Sequence, residues 1–117
     1  MVLEPCPSSP NCISSQADPA DSQHYMDPIE LGSSTGKALD AVQAVLAETP
    51  GAKVTQRTEK GIEAVFTTRI FRFKDDVSFI VEDGTLHFRS ASRVGHSDLG
   101  ANRKRMTGLM PQIQAKL

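Results

Sequence analysis

The sequence predicts an α+β fold: a four-stranded antiparallel sheet with two helices packed on one face and an extended N-terminal arm. Three observations carry this expectation. Two segments repeat apolar residues at helical spacing, and the stretch between them alternates as strands do. Residues 1–36 hold five of the seven prolines and show neither period. A chain of 117 residues suits one domain, which buries roughly two-thirds of the surface of its unfolded chain. The division expected is a Pro/Ser-rich arm at 1–36 and a single α+β domain at 37–117.

The elements follow in order. Five prolines exclude a long helix or a central strand from the arm. Ala38, Leu39, Val42, Val45 and Leu46 then form one helical stripe, with Ser34 or Thr35 to cap its start and Pro50-Gly51 to stop it. Residues 54–58 read as a strand, Lys60-Gly61 as a turn, and residues 62–69 as a second strand that alternates Ile62, Ala64 and Phe66 against Glu63, Val65 and Thr67. The clearest hairpin covers residues 77–93. Asp83-Gly84 suits a type I′ turn, which sets Glu82 opposite Thr85, Val81 opposite Leu86 and Phe79 opposite Phe88. The other face then carries Ile80 with His87 and Ser78 with Arg89, continued by Ala91 and Arg93. A final helix, started by Ser97 or Asp98, has the stripe Leu99, Met106, Leu109, Met110, Ile113 and Leu117, with Pro111 expected to kink it.

Composition excludes several function classes. A net charge of −1 argues against general nucleic-acid binding, which goes with a strong basic excess. No segment approaches the ~20 apolar residues of a membrane span. Residues 1–5 lack the basic and apolar regions of a signal peptide, although removal of an upstream targeting segment would leave the same chain. The charge is uneven. Glu4, Asp18, Asp21, Asp27 and Glu30 stand in residues 1–30 without Lys or Arg, whereas Arg89, Arg93, Arg103, Lys104 and Arg105 face only Asp98 in residues 89–105. The acidic arm lying over the basic segment is the favoured reading, and a partner the other.

Cys6 and Cys12 are the only cysteines. A disulfide is favoured over free thiols or a metal clamp, because five intervening residues do not make a C-x2-C clamp and only His24 lies near. Closing so short a loop removes about 2–2.5 kcal/mol of unfolded-chain entropy. Such pairs persist in oxidising compartments. A cell-envelope or periplasmic location is expected on that basis, and a cytoplasmic one if the thiols are reduced.

Three stretches, in order, resemble the bacterial and plant domain-of-unknown-function family 1499. They are Cys-Pro-Ser-Ser-Pro-Asn-Cys-Ile-Ser-Ser at 6–15, Phe-Arg-Phe-Lys-Asp-Asp-Val at 71–77, and Arg-Ser-Ala-Ser-Arg-Val-Gly-His-Ser-Asp-Leu-Gly-Ala-Asn-Arg-Lys-Arg at 89–105. His96 departs from an expected aromatic and Ile13 from the commoner Val. The resemblance implies no activity. It does imply that related chains are often preceded by a membrane anchor, a lipoprotein signal or an organelle transit segment.

The candidate site is an Arg/Ser-rich cleft made of Arg89, Ser90, Ser92, Arg93, Ser97, Asp98, Asn102 and Arg103. Arginine forks bind phosphate or carboxylate bidentately, and a helix start offers free N–H groups to an anion. The competing reading is an internal network in which Asp75, Asp76 and Asp98 neutralise Arg69, Arg89, Arg93 and Arg103. The adjacent carboxylates Asp75 and Asp76 point to opposite faces of a strand, so each is expected to cap a turn or pair with an arginine. Cys12 or a serine (Ser90, Ser92, Ser97) with His24 or His96 would be needed for an enzyme. No Gly-x-Ser-x-Gly or His-Glu-x-x-His pattern is present, and Gly32-Ser-Ser-Thr-Gly-Lys37 is one residue short of a phosphate-binding loop. The expected function is an envelope-associated, non-catalytic module binding an anionic small molecule or a partner's acidic group, with no cofactor, metal or nucleic acid. An enzyme using the same cleft, or a purely structural or assembly domain, are the alternatives.

Overall fold

The computed structural model describes residues 2–117. Helix α1 spans Thr35–Ala47. The Ser34 side chain caps it by accepting the Lys37 N–H at 3.2 Å, as the Ser/Thr signal predicts. Its apolar stripe, Ala38, Leu39, Ala41, Val42, Val45 and Leu46, is buried throughout. The chain turns back at Gly51, whose φ of 83° and tight approach to the Thr67 carbonyl leave no room for a Cβ.

Four strands follow as an antiparallel meander: β3 (Ala52–Arg57), β4 (Gly61–Thr67), β5 (Lys74–Glu82) and β6 (Thr85–Ser92). At the β5–β6 turn Asp83 and Gly84 have φ of 50° and 74°, the left-handed pair that a type I′ turn requires. The register is the expected one, with Glu82 opposite Thr85, Phe79 opposite Phe88 and Ser78 opposite Arg89. Strand β5 starts at Lys74, earlier than its apolar alternation suggests, because Asp75 and Asp76 pair across to both Phe66–Val65 and Ser92–Ala91.

The sheet has six strands rather than four. The arm supplies β1 (Cys12–Ser14) and β2 (Ile29–Glu30), and both pair antiparallel with β6, opposite Arg89–Ala91 and Thr85–Leu86 respectively. Prolines forbid a long strand but not these short pieces, which occupy the outer edge of β6 and satisfy its exposed N–H and C=O groups. Cys6 and Cys12 form a disulfide at the start of this edge.

Helix α2 (Ala101–Ala115) and α1 pack on the same face of the sheet. Between them lie Ile62, Ala64, Phe66, Val77, Phe79, Val81, Leu86 and Phe88, with Met106, Leu109, Met110 and Ile113 from α2. Fully burying each of these side chains other than Ala64 stabilises the fold by roughly 1.5–3 kcal/mol. Leu99 is not part of this stripe: it precedes α2, has φ of 56° and is 96% exposed. The opposite face of the meander carries His87, Arg89, Ala91 and Asp76, by strict alternation along β5 and β6.

Polar groups tie the arm down. His24, 6% exposed, directs Nδ1 at the Asp21 carboxylate (2.7 Å) and Nε2 at the Ser9 carbonyl (2.8 Å). Acceptors face both ring nitrogens, with the Gln23 amide nitrogen also 3.1 Å from Nε2, and they favour the charged ring. The Ser9 carbonyl and then the Asp21 carboxylate raise the His24 pKa above its ordinary value, and His24 lowers that of Asp21. A raised histidine pKa gives stability that is complete below 6.5 and fades as pH rises through the folded-state value. A lowered aspartate pKa gives stability that is present above 3.8 and fades as pH falls through its folded value. Thermal melts should therefore weaken as pH rises above 6.5, and His24→Gln should flatten that limb. An unchanged limb in the variant would remove the imidazolium from this account.

Candidate functional site

A buried polar network joins α2 to the sheet and to the arm. Asn102 is fully buried and stands at its centre. Its amide oxygen accepts from the Ser90 hydroxyl (2.6 Å) and from Arg105 Nη1 (2.9 Å). Its amide nitrogen donates to Asp98 Oδ2 (2.7 Å), Ser92 Oγ (2.9 Å) and the Asn11 carbonyl (3.2 Å). Arg105 continues inward, donating to Asp75 Oδ2 at 2.6 Å, while its guanidinium lies 4.8 Å from the centre of the Phe66 ring. Asp75 and Arg105 are nearly dry, with side chains 4% and 13% exposed. Charge, hydrogen bonds and ring face together satisfy a group that would otherwise be costly to bury.

Asp98 closes the start of α2. Its carboxylate accepts from the Gly100 N–H (2.8 Å) and the Asn102 N–H (3.0 Å). Burial opposes its charge as the largest single influence, yet the bonds from Asn102 and Gly100 outweigh it and hold its pKa below the usual carboxylate value. The helix-start amides expected to await an anion are thus occupied by the chain's own Asp98.

The eight residues of the expected cleft divide among three places. Ser90, Ser92, Asp98 and Asn102 meet in the network just described. Arg89 and Arg93 stand apart from it. Arg93 makes a two-pronged pair with Asp76 (2.9 and 3.0 Å), and Arg89 reaches the Pro5 carbonyl at 3.4 Å. Arg103 turns toward the arm, where its Nη2 donates to the carbonyls of Ser22 (2.9 Å) and Tyr25 (3.1 Å). Arg103 shares with Ser97 and Asp98 a hollow of about 470 Å³ between the arm and the first turns of α2. Lys104 and Thr107 line the same hollow, with Pro10, Ile13 and Gln23 on the arm side. Two cations thus stand beside one carboxylate whose oxygens are already engaged.

Comparison with known families decides the relationship of the chain. The family described as "Protein of unknown function (DUF1499)" matches residues 2–113. The chain belongs to that family. No curated protein matches it.

In this DUF1499 chain no hydrogen bond among the described residues joins the pairs drawn for catalysis, those with His96 included. Cys12 is bonded to Cys6 and is not a nucleophile. His24 is engaged with Asp21 and Ser9. The Ser–His pair that does form is Ser15 with His87, 2.9 Å apart, but Ser15 Oγ also accepts the Phe88 N–H and is held in the sheet edge. Asp75 and Asp76 part to opposite faces as expected, one to Arg105 and one to Arg93. Two residues of the site region, noted in the sequence only for their charge, were not assigned to the cleft. Arg105 follows Asn102 by three positions and precedes Leu109 by four, so helical spacing alone places it on the buried side of α2. Lys104, one position away, carries no such signal.

Proposed function

We propose that this DUF1499 chain is a non-catalytic binding module of an oxidising compartment such as the cell envelope or periplasm. Its hollow at the start of α2 receives an acidic group, from an anionic small molecule or from a partner protein. The observation that carries this reading is the position of Arg103 and Lys104 on the wall of one open hollow. The arm carbonyls of Ser22 and Tyr25 fix the Arg103 guanidinium before any ligand arrives, which reduces the ordering that binding requires. The Cys6–Cys12 disulfide supports the compartment.

Lys104 is exposed and gives the cleanest test, because its removal leaves the arm tether intact. Inorganic phosphate and citrate should raise the melting temperature of the native chain in a concentration-dependent way, as binding to the folded state alone requires. Lys104→Ala should fold normally and lose most of that rise. No shift with either anion, or an equal shift in the variant, would defeat the proposal.

A further inference from the structure

We infer that one end of the sheet docks on an anionic lipid surface through the β4–β5 tip and the loop between β6 and α2. Six large apolar side chains are strongly exposed among the described residues, and five of them, Ile70, Phe71, Phe73, Val94 and Leu99, lie on these two loops. Their exposures run from 51% to 96%, too high for a fold that has a dry core to place them in. The loops share one end of the sheet, since the Arg93 N–H donates to the Lys74 carbonyl at 3.1 Å and Asp75 stands opposite Ser92.

Charge identifies the occupant. Arg69, Arg72 and Lys74 interleave with Ile70, Phe71 and Phe73, and residues 67–74 contain no acid. That alternation sets cations at the depth of anionic headgroups while the apolar chains reach the acyl boundary. The tip is also closed on itself: the Thr68 N–H donates to the Phe73 carbonyl, the Arg72 N–H to the Thr68 carbonyl and the Phe73 N–H to the Thr68 hydroxyl. These bonds satisfy three of the tip's N–H groups internally, which lowers the cost of bringing it to an apolar boundary. The Phe71 and Phe73 rings stack with centroids 5.6 Å apart and present one wedge. A stable protein interface takes roughly 800 Å² and 20–30 residues per partner, which favours a lipid surface over a protein for two short loops.

The test uses the intact chain and extruded vesicles of phosphatidylcholine alone or mixed equally with phosphatidylglycerol, separated by sedimentation. The chain should pellet with the anionic vesicles and hardly with the neutral ones. Arg69→Gln/Arg72→Gln should weaken partitioning by about 25-fold, roughly fivefold for each cation removed. Phe71→Ser/Phe73→Ser should weaken it by more than about tenfold, and both variants should melt like the native chain because these side chains are exposed. Lys104→Ala should bind vesicles unchanged, which separates this surface from the α2 hollow. Absence of pelleting with either vesicle, or pelleting unaffected by both double variants, would overturn the inference. So would a dimer in sedimentation velocity that Phe71→Ser/Phe73→Ser dissolves, since the tip would then belong to a second copy of the chain.

Discussion

Arg105→Ala is expected to lower stability by about 3–5 kcal/mol, because it leaves the Asp75 carboxylate charged, buried and without its partner. For a chain of this length that loss lowers the melting temperature by roughly 12–20 °C. The same change at Arg93 should cost less than about 1 kcal/mol, since both members of the Arg93–Asp76 pair are nearly half exposed and water screens them. Two arginine–aspartate pairs on adjacent residues of β5 thus differ several-fold in consequence, and the difference comes from which face of the sheet each occupies. Replacing both partners, as Asp75→Leu with Arg105→Met, should recover most of the loss, because no orphaned charge remains. Thermal or denaturant melts of the three variants check this order. Equal losses for Arg105→Ala and Arg93→Ala would contradict it.

Asn102→Ala is expected to cost about 2–4 kcal/mol and to act at a distance. The side chain accepts from Ser90 and Arg105 and donates to Asp98, Ser92 and the Asn11 carbonyl, so its loss strands several buried groups at once. The Asn11 bond is the one that reaches the arm. Amide hydrogen exchange should therefore quicken at Cys12–Ser14 in the variant while the centre of the β5–β6 hairpin stays protected. Unchanged exchange in β1 would show that the arm is held by the disulfide and edge pairing alone.

Much of the fold was legible because its signals are local. The Asp83-Gly84 turn fixes a register, and that register alone places Phe79 and Phe88 together and Arg89 behind them. The α1 stripe and the Ser34 cap read directly from spacing. Strands β1 and β2 were not legible, because two or three residues carry no period and their pairing depends on a free β6 edge that only the folded sheet provides. The disulfide was legible from spacing and composition, and it stands next to that edge.

The site was harder. Grouping Arg89 and Arg93 with the start of α2 overlooks a consequence of alternation: α2 must cover the Phe88 face, and Arg89 points away from it. Ser90 and Ser92, one residue on either side of Ala91, are the β6 members that reach Asn102. Asp98 was expected either to start the final helix or to neutralise an arginine, and it does the former, taking the backbone N–H groups of Gly100 and Asn102. A short polar side chain just before a helix often finds those donors first. Leu99 was counted as core by spacing, but a positive φ at Leu99 and Gly100 delays the helix and leaves the side chain in water. Helix starts defined by backbone turns are poorly encoded in apolar period.

The most direct measurement of the central claim is an amide chemical-shift map of the labelled chain titrated with inorganic phosphate. The α2 hollow requires saturable shifts centred on Ser97, Gly100, Arg103, Lys104 and Thr107, with the amides of Arg89 and Arg93 left in place. Shifts centred on Arg89 and Arg93, or none that saturate, would contradict it.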